Sequence, residues 1–259
     1  MDTDNKMTRR SALKRMGIAV ASTVAASSGL LSLTSCEGKK KKRIILYFTG
    51  TGNCLYVARQ LGGKDAELLS IPQLMKQKKF EIEANEIGIV YPIYGHMPPN
   101  MVRRFIQKVN LKADYLFAIL TYGNRKCNAV EIWDEVSRQA GKRFDYIGTI
   151  IMVDNWLPSF DMNEQILIDK HISENLQKIT ADLSERKRWH EPVTEEEREQ
   201  HKEFLARTGI DPSTGFVLKS ENCFAVTDAC IGCGACENLC PARPFSAIYV
   251  EGHEMHRVI

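Results

Sequence analysis

The chain has 259 residues, of which 44% are hydrophobic and 26% are charged, with a formal net charge of +3 at pH 7. This composition is ordinary for a soluble globular protein, and the length allows one sizeable core plus a small appended module. The basic residues are concentrated in short runs without interleaved aromatic residues, so a nucleic-acid partner is not indicated.

Residues 1–36 have the order of an export signal, because a basic segment precedes an apolar stretch of small residues from Ile18 to Leu33. The segment from Thr8 to Lys14 resembles a twin-arginine signal, and Leu33-Thr34-Ser35-Cys36 resembles a bacterial lipobox. The resemblance implies that Cys36 is lipidated. We therefore expect an exported protein, anchored in the inner or outer membrane on its periplasmic or outer side. A disordered basic tail with a chance cysteine is the alternative.

Residues 43–185 predict a doubly wound α/β domain with a parallel sheet. Continuous apolar runs are typical of buried parallel strands, and here they are Arg43–Phe48, Ala66–Ser70, Ile87–Tyr91, Tyr115–Thr121 and Tyr146–Val153. Apolar residues at helical spacing follow at Leu55–Leu61, Pro99–Val109 and Cys127–Ala140, and one long amphipathic helix is predicted from Ile168 to Leu183. Strands that alternate with helices predict parallel pairing with right-handed crossovers.

Three loops are expected to meet beyond the carboxyl ends of these strands, where such sheets bind ligands. The loop 49–53 reads Thr-Gly-Thr-Gly-Asn and precedes a helix, an arrangement that offers backbone N–H groups and hydroxyls to a phosphate. The loops 92–98 and 121–125 each supply a tyrosine and a glycine, which suit a flat ring system. The residues predicted to bind the flavin are Thr49, Thr51, Gly52, Asn53, Tyr94, Gly95, Thr121, Tyr122 and Gly123.

The domain resembles flavodoxins, which implies FMN as the cofactor. The flavodoxin loop usually continues with Thr or Ser, whereas this chain has Cys54, so one hydroxyl donor is missing. A domain that keeps the fold without a flavin is the alternative. His96, beside the predicted flavin, is a candidate proton donor, although a surface loop residue is the favoured interpretation.

Residues 186–219 are highly charged and predict a helical linker. His171, His190 and His201 show no ligand-like spacing, so they are not predicted to be functional.

Residues 220–259 predict a ferredoxin-like module with a [4Fe–4S] cluster. Its metal ligands follow the bacterial ferredoxin spacing C-x2-C-x2-C-x3-C-P, and they are Cys230, Cys233, Cys236 and Cys240. Soft thiolates select iron–sulfur clusters or zinc. Zinc is the weaker alternative, because structural zinc sites usually divide their ligands into two separated pairs.

The sequence allows more than one candidate for the fourth ligand of the cluster. In two-cluster ferredoxins the fourth cysteine of each run ligates the other cluster, and no second run follows Cys240 in this sequence. Either the fourth ligand is Cys223, Cys240 or His253, or the sequence is a truncated product that lacks a second half-module.

The combination of both domains resembles the bacterial EFR1 family of flavodoxin-plus-ferredoxin proteins. The resemblance implies electron transfer with redox partner proteins, between a [4Fe–4S] cluster and FMN. A flavin-free iron–sulfur lipoprotein that binds other proteins without turnover is the alternative function. No acid–base or nucleophile constellation indicates a hydrolase.

Overall fold

The computed structural model describes residues 42–156, 159–213, 226–240, 248–251 and 254–257. The predicted signal with Cys36 lies outside the described residues, as do Cys223 and His253. Within the described part of the chain, no helix is both long enough and apolar enough to span a bilayer.

A six-stranded parallel sheet forms the centre of the larger domain. The strands in chain order are β1 (Arg43–Tyr47), β2 (Glu67–Ser70), β3 (Glu81–Glu83), β4 (Glu86–Pro92), β5 (Asn110–Lys112), β6 (Tyr115–Tyr122), β7 (Tyr146–Ile151), β8 (Trp189–His190), β9 (Ile248–Glu251) and β10 (Glu254–Arg257). The central sheet has the order β2-β1-β4-β6-β7-β8. β3 and β5 form a small parallel pair, and β9 and β10 form an antiparallel pair.

Eight described helices connect these strands. They are α1 (Asn53–Gly62), α2 (Ile71–Lys76), α3 (Asn100–Lys108), α4 (Ala129–Gln139), α5 (Met162–Gln165), α6 (Ile172–Ser184), α7 (Glu195–Thr208) and α8 (Ala235–Asn238).

Two apolar cores cover the two faces of the sheet, as alternation along the strands requires. In β1, Ile44 and Leu46 belong to the core that α2, α3 and α4 cover. Ile45 points the other way, into the core that α1 and α6 cover. The fold is thus a three-layer arrangement with the sheet in the middle.

The strand order confirms the predicted flavodoxin-like α/β fold. If the five longer strands of the sheet are numbered along the chain, their spatial order is 2-1-3-4-5, the flavodoxin-like order. The chain leaves β1 toward one face, through α1, and leaves β4 toward the other, through α3. A crevice therefore opens between the carboxyl ends of β1 and β4, where this topology places ligands.

The long helix predicted from Ile168 begins later in the structure. α6 starts after His171, which has a left-handed φ of 49°, and Ile168 is 46% exposed outside the helix. Ile168 has the apolar character and spacing expected of a helix residue, but the turn at His171 separates it from the helix.

The charged segment predicted as a linker contributes to the sheet and to the packing. β8 pairs with β7 in parallel, and beyond it the carboxylate of Glu191 accepts the backbone N–H of Thr149 at 2.7 Å. α7 begins with a capping box between Thr194 and Glu197 and ends at Gly209, whose φ of 61° suits glycine. It places His201 in a buried position.

Candidate functional site

The loop 49–53 forms a turn that exposes the start of α1. Gly52 precedes the helix with a φ of 104°, a conformation that favours glycine, and its N–H donates to the Thr49 hydroxyl at 3.0 Å. No side chain caps the ten-residue helix, and its first turn has no acidic residue. The N–H groups of the first turn are therefore available to an anion, and the helix dipole favours negative charge there.

Tyr94 lies directly against this loop, on the turn that follows β4. A Cβ atom at Gly50 would lie 2.8 Å from the Tyr94 hydroxyl, so the glycine allows the approach. The ring packs edge-to-face on Phe48 with a centroid distance of 6.4 Å, yet Tyr94 stays 39% exposed. Burial and the proximity of Cys54 raise the pKa of Tyr94, so its hydroxyl is protonated at neutral pH.

A tight turn holds Tyr94 in place. Its N–H donates to the carbonyl of Met97 at 2.9 Å, and the N–H of Met97 donates back at 3.1 Å. Gly95 and His96 between them have φ values of 56° and 64°. The turn directs the ring of Tyr94 toward the loop 49–53 and the ring of His96 away from it, toward α7.

The loop 121–125 packs on the segment that follows β7. A Cβ atom at Gly123 would lie 2.5 Å from Cγ of Asp154, so only glycine permits this approach. Lys170 donates to the carbonyl of Gly123 at 3.1 Å. Tyr122 is half-buried, and burial raises its pKa.

Thr121 supports the site through its own contacts. Its carbonyl accepts the N–H of Ile93 at 2.8 Å, and its hydroxyl lies 3.1 Å from the sulfur of Cys54. The side chain of Thr121 is 3% exposed. The hydroxyl is therefore occupied within the protein, in the layer beneath the crevice.

The segment 153–156 is a fourth wall that the sequence prediction did not include. Asn53 donates from its side chain to the carbonyl of Val153 at 3.0 Å, and Asn155 donates to the hydroxyl of Thr51. Trp156 is 53% exposed beside them. The signal in the sequence was the position of Asp-Asn-Trp directly after a predicted strand, which places these residues at the same edge as the other three loops.

These contacts bring the three predicted loops together at one edge of the sheet. Gly50 meets Tyr94, Thr51 meets Asn155, and Gly123 meets Asp154. The open helix start fits a phosphate, and the half-exposed Tyr94 offers a face to a planar ring. The residues present therefore fit a flavin mononucleotide in chemical character.

His96 and His201 form a second cluster next to this edge. Their Nδ1 atoms are 3.3 Å apart, and the ring of His96 also packs on Phe204 with a centroid distance of 4.5 Å. Burial, together with His201, Arg125 and Arg207, lowers the pKa of His96 to about 4, and burial lowers the pKa of His201. Both rings are therefore neutral at pH 7.

The four cysteines of the C-terminal module are free thiols in the structure. Cys230, Cys233 and Cys236 are exposed, and Cys240 is half-buried. Among the described residues, no group of three or more Cys, His, Asp or Glu side chains has an arrangement that could hold a metal ion.

The chemical character of this donor set nevertheless fits an iron–sulfur cluster. All four candidates are soft thiols within eleven residues, and Gly232 and Gly234 between them have left-handed φ values of 63° and 72°. Such glycines allow the tight turns that ligands with two-residue gaps need.

Comparison with known families assigns this segment. Residues 225–246 match the family described as "4Fe-4S binding domain", and the match contains all four cysteines. The C-terminal segment is thus similar to 4Fe–4S binding domains. The prediction of a [4Fe–4S] cluster is confirmed, and the zinc alternative is not supported. No curated protein matches the chain.

Several solved structures are similar to the larger domain in fold. A flavoprotein in complex with FMN from Lactobacillus acidophilus NCFM is 16% identical, with 42% of this chain and 93% of that chain covered and a TM-score of 0.31. The two-electron reduced flavodoxin of Megasphaera elsdenii is 16% identical, covering 41% and 84%, with a TM-score of 0.33. Rubredoxin oxygen:oxidoreductase from Desulfovibrio gigas is 14% identical, covering 57% and 37%, with a TM-score of 0.35.

Proposed function

We propose that this protein transfers electrons between a [4Fe–4S] cluster in its C-terminal module and an FMN at the carboxyl edge of its sheet. The observation that carries the proposal is the presence, in one chain, of a 4Fe–4S binding domain and of an open helix start under an exposed tyrosine. When bound, the cluster supplies one-electron chemistry and the flavin supplies one- or two-electron chemistry.

The loop 49–53 holds the phosphate in this proposal. The N–H groups at the start of α1 donate to the anion, and Gly52 provides the turn that aims them. Asn155 fixes the Thr51 hydroxyl, and the bond from Gly52 N–H fixes that of Thr49. Both hydroxyls are thus held by protein groups at the rim of the anion site.

Tyr94 and Trp156 are the side chains that offer aromatic faces to the ring. Tyr94 is 39% exposed and Trp156 is 53% exposed, and both lie on loops that contact the loop 49–53. Large aromatic groups that stay exposed on packed loops are suited to stacking on a planar ligand. Gly95 provides the turn next to Tyr94, and Gly123 lets its loop pack closely on Asp154, two residues before Trp156.

Cys230, Cys233 and Cys236 are the proposed ligands of the cluster, with Cys240 as the fourth candidate inside the described residues. Cys223 and His253 remain the other candidates. We propose that redox partner proteins exchange electrons with these two cofactors. The direction of flow depends on the reduction potentials of the cluster and the flavin, and the cluster ligands and their hydrogen bonds adjust the potential of the cluster.

Visible absorption of the full chain, purified without oxygen, tests the proposal together with iron, sulfide and flavin contents. We expect an iron–sulfur band with structured flavin bands beneath it. Cys233→Ser should remove the iron–sulfur band and leave the flavin bands. A protein with iron but no flavin, even after incubation with FMN, would instead support the flavin-free alternative function.

A matched pair of variants tests the phosphate site. Gly52→Asp adds a carboxylate where the proposal places a phosphate, whereas Gly52→Asn has similar size, tolerates a positive φ and carries no charge. We expect FMN affinity to fall at least tenfold more in the aspartate variant than in the asparagine variant. Equal affinities would contradict an anion at the start of α1.

We further propose that the protein is exported and anchored through a lipidated Cys36, on the support of the sequence of residues 1–36. Mass spectrometry of the protein from membranes tests this proposal. We expect a mature chain that begins at an acylated Cys36, and an unprocessed N-terminus would contradict it.

A further inference from the structure

A separate cavity of about 160 Å³ lies between α7 and two of the sheet-edge loops. Its lining residues are His96, Arg125, Gln200, Glu203, Phe204 and Arg207. None of them is among the residues predicted to bind the flavin. The cavity is close in size to an engineered cavity of about 150 Å³ that holds benzene, so it suits a molecule of about six heavy atoms.

The walls of this cavity are built from long-range contacts. His201 fixes α7 against the turn of His96, and Phe204 packs on the same imidazole. On the other side, the thiol of Cys127 lies 3.7 Å from the side-chain oxygen of Gln200. The position of α7 over the cavity therefore depends on buried contacts with both loops.

Both loops that meet α7 contain a non-glycine residue in a left-handed conformation. His96 has a φ of 64° and Cys127 a φ of 47°. Such residues cost free energy and are concentrated at binding sites, where the surrounding structure maintains them. In this protein, His96 and Cys127 are the residues of the two loops that contact α7.

The charge of the lining is positive. Arg125 and Arg207 contribute two guanidinium groups, and Glu203 contributes one carboxylate. Within the part of the chain that the structure describes, neither guanidinium forms an ion pair, whereas Arg198 on the same helix pairs with Glu131 and Glu195. Since His96 is neutral at pH 7, the lining carries a net charge of about +1.

We propose that this cavity binds a small organic monoanion, with its carboxylate on Arg125 and Arg207 and its apolar part on Phe204. Guanidinium groups match the planar geometry of a carboxylate through paired N–H donors. A single negative charge balances the lining, and the side-chain amide of Gln200 adds a polar group at the wall. The proposal concerns the protein part alone and does not depend on a bound flavin.

Calorimetric titration of the full chain with butyrate, which has six heavy atoms, tests the site. We expect saturable binding, at least tenfold weaker for Arg125→Gln and Arg207→Gln and tighter for Glu203→Gln. Arg198→Gln is the matched control, because Arg198 lies on α7, as Arg207 does, but outside the lining. The affinity of this variant for butyrate should be unchanged. These side chains are at the surface, so the variants are expected to fold.

Four results would overturn the proposal. One is the absence of saturable butyrate binding, and another is binding that both arginine variants retain. Equal binding of neutral butyramide would remove the argument from charge. Inorganic phosphate, titrated in parallel, separates the two anion classes: binding tighter than that of butyrate would overturn the assignment to a carboxylate.

Discussion

The sulfur of Cys54 lies 3.1 Å from the hydroxyl oxygen of Thr121, and this contact joins the start of α1 to the end of β6. α1 follows β1 in the chain, and β1 and β6 lie on either side of β4. The buried thiol of Cys54 also interacts with the side chain of Thr49 in the loop 49–53. It acts beneath the crevice, as a buried link between two of its walls.

Cys54 is expected to resist alkylation in the native protein. The residue is 1% exposed, and burial raises the pKa of its thiol to about 12, so the reactive thiolate is scarce at neutral pH. Treatment with iodoacetamide, followed by mass spectrometry, should find Cys54 unmodified and the exposed Cys230, Cys233 and Cys236 modified in metal-free protein. Rapid modification of Cys54 under native conditions would show that α1 opens away from β6.

Replacement of Gly88 by Ala is expected to destabilise the sheet. A Cβ atom at this position would lie 2.2 Å from the ring of Phe117, its register partner on β6. The ring must move in a closely packed core, so we expect a loss of about 1–3 kcal/mol in the free energy of unfolding, measured by urea denaturation. In the double variant with Phe117→Leu, the two losses should be less than additive, and simple additivity would contradict the clash.

Glu86 is expected to stabilise the fold through two arginines. It is 8% exposed and accepts from Nε of Arg43 at 2.7 Å and from Nε of Arg186 at 2.9 Å. Glu86→Gln removes the charge from both bonds, so the free energy of unfolding should fall by about 1.5–3 kcal/mol. Glu81→Gln is the control, because its ion pair with Lys112 is exposed and should contribute little. Similar losses in both variants would contradict this account.

The contact between His96 and His201 is expected to make stability depend on pH. The pKa of His96 is about 4 in the folded protein, whereas an unfolded histidine has a pKa of about 6.5. Between these values the unfolded chain binds more protons, so stability falls as the pH falls from about 6.5 toward 4. Arg125 and Arg207 add to the effect, and Glu203 opposes it.

Urea denaturation of the wild type and of His96→Asn, at intervals from pH 7 to pH 5, measures this effect. The wild type should lose stability relative to the variant as the pH decreases, since the variant lacks the titrating ring. This range avoids most of the titration of carboxyl groups. Parallel profiles for the two proteins would contradict a depressed pKa at His96.

Much of the larger domain could be predicted from local sequence patterns. β4 and β6 are continuous apolar runs, and the predicted bounds 87–91 and 115–121 differ by one residue at most from those of the structure. α1 ends at Gly62, one residue after the predicted span 55–61, and is followed by Gly63, a residue type that commonly ends helices. These elements are predictable because burial on both faces leaves an apolar signal in every residue of a strand.

The parts that escaped prediction depend on contacts distant in sequence. β8 has only two residues, too few to carry a period, and it lies in a charged segment. His96 and His201 are 105 residues apart, and neither has a neighbour in sequence that indicates the other. For the same reason, the position of each carboxyl-edge loop follows from the strand before it, whereas the contacts between these loops and the cavity under α7 required the fold.

The short strand β8 also affects how strands of other molecules can pair with this edge of the sheet. The outermost strand of a sheet normally offers unpaired N–H and C=O groups, which can add a strand from another molecule and begin aggregation. Here the strand ends after His190, and the carboxylate of Glu191 takes the N–H of Thr149 that a longer strand would have paired. The carboxylate thus leaves one fewer free donor for a foreign strand at this margin of the sheet, in addition to completing the fold.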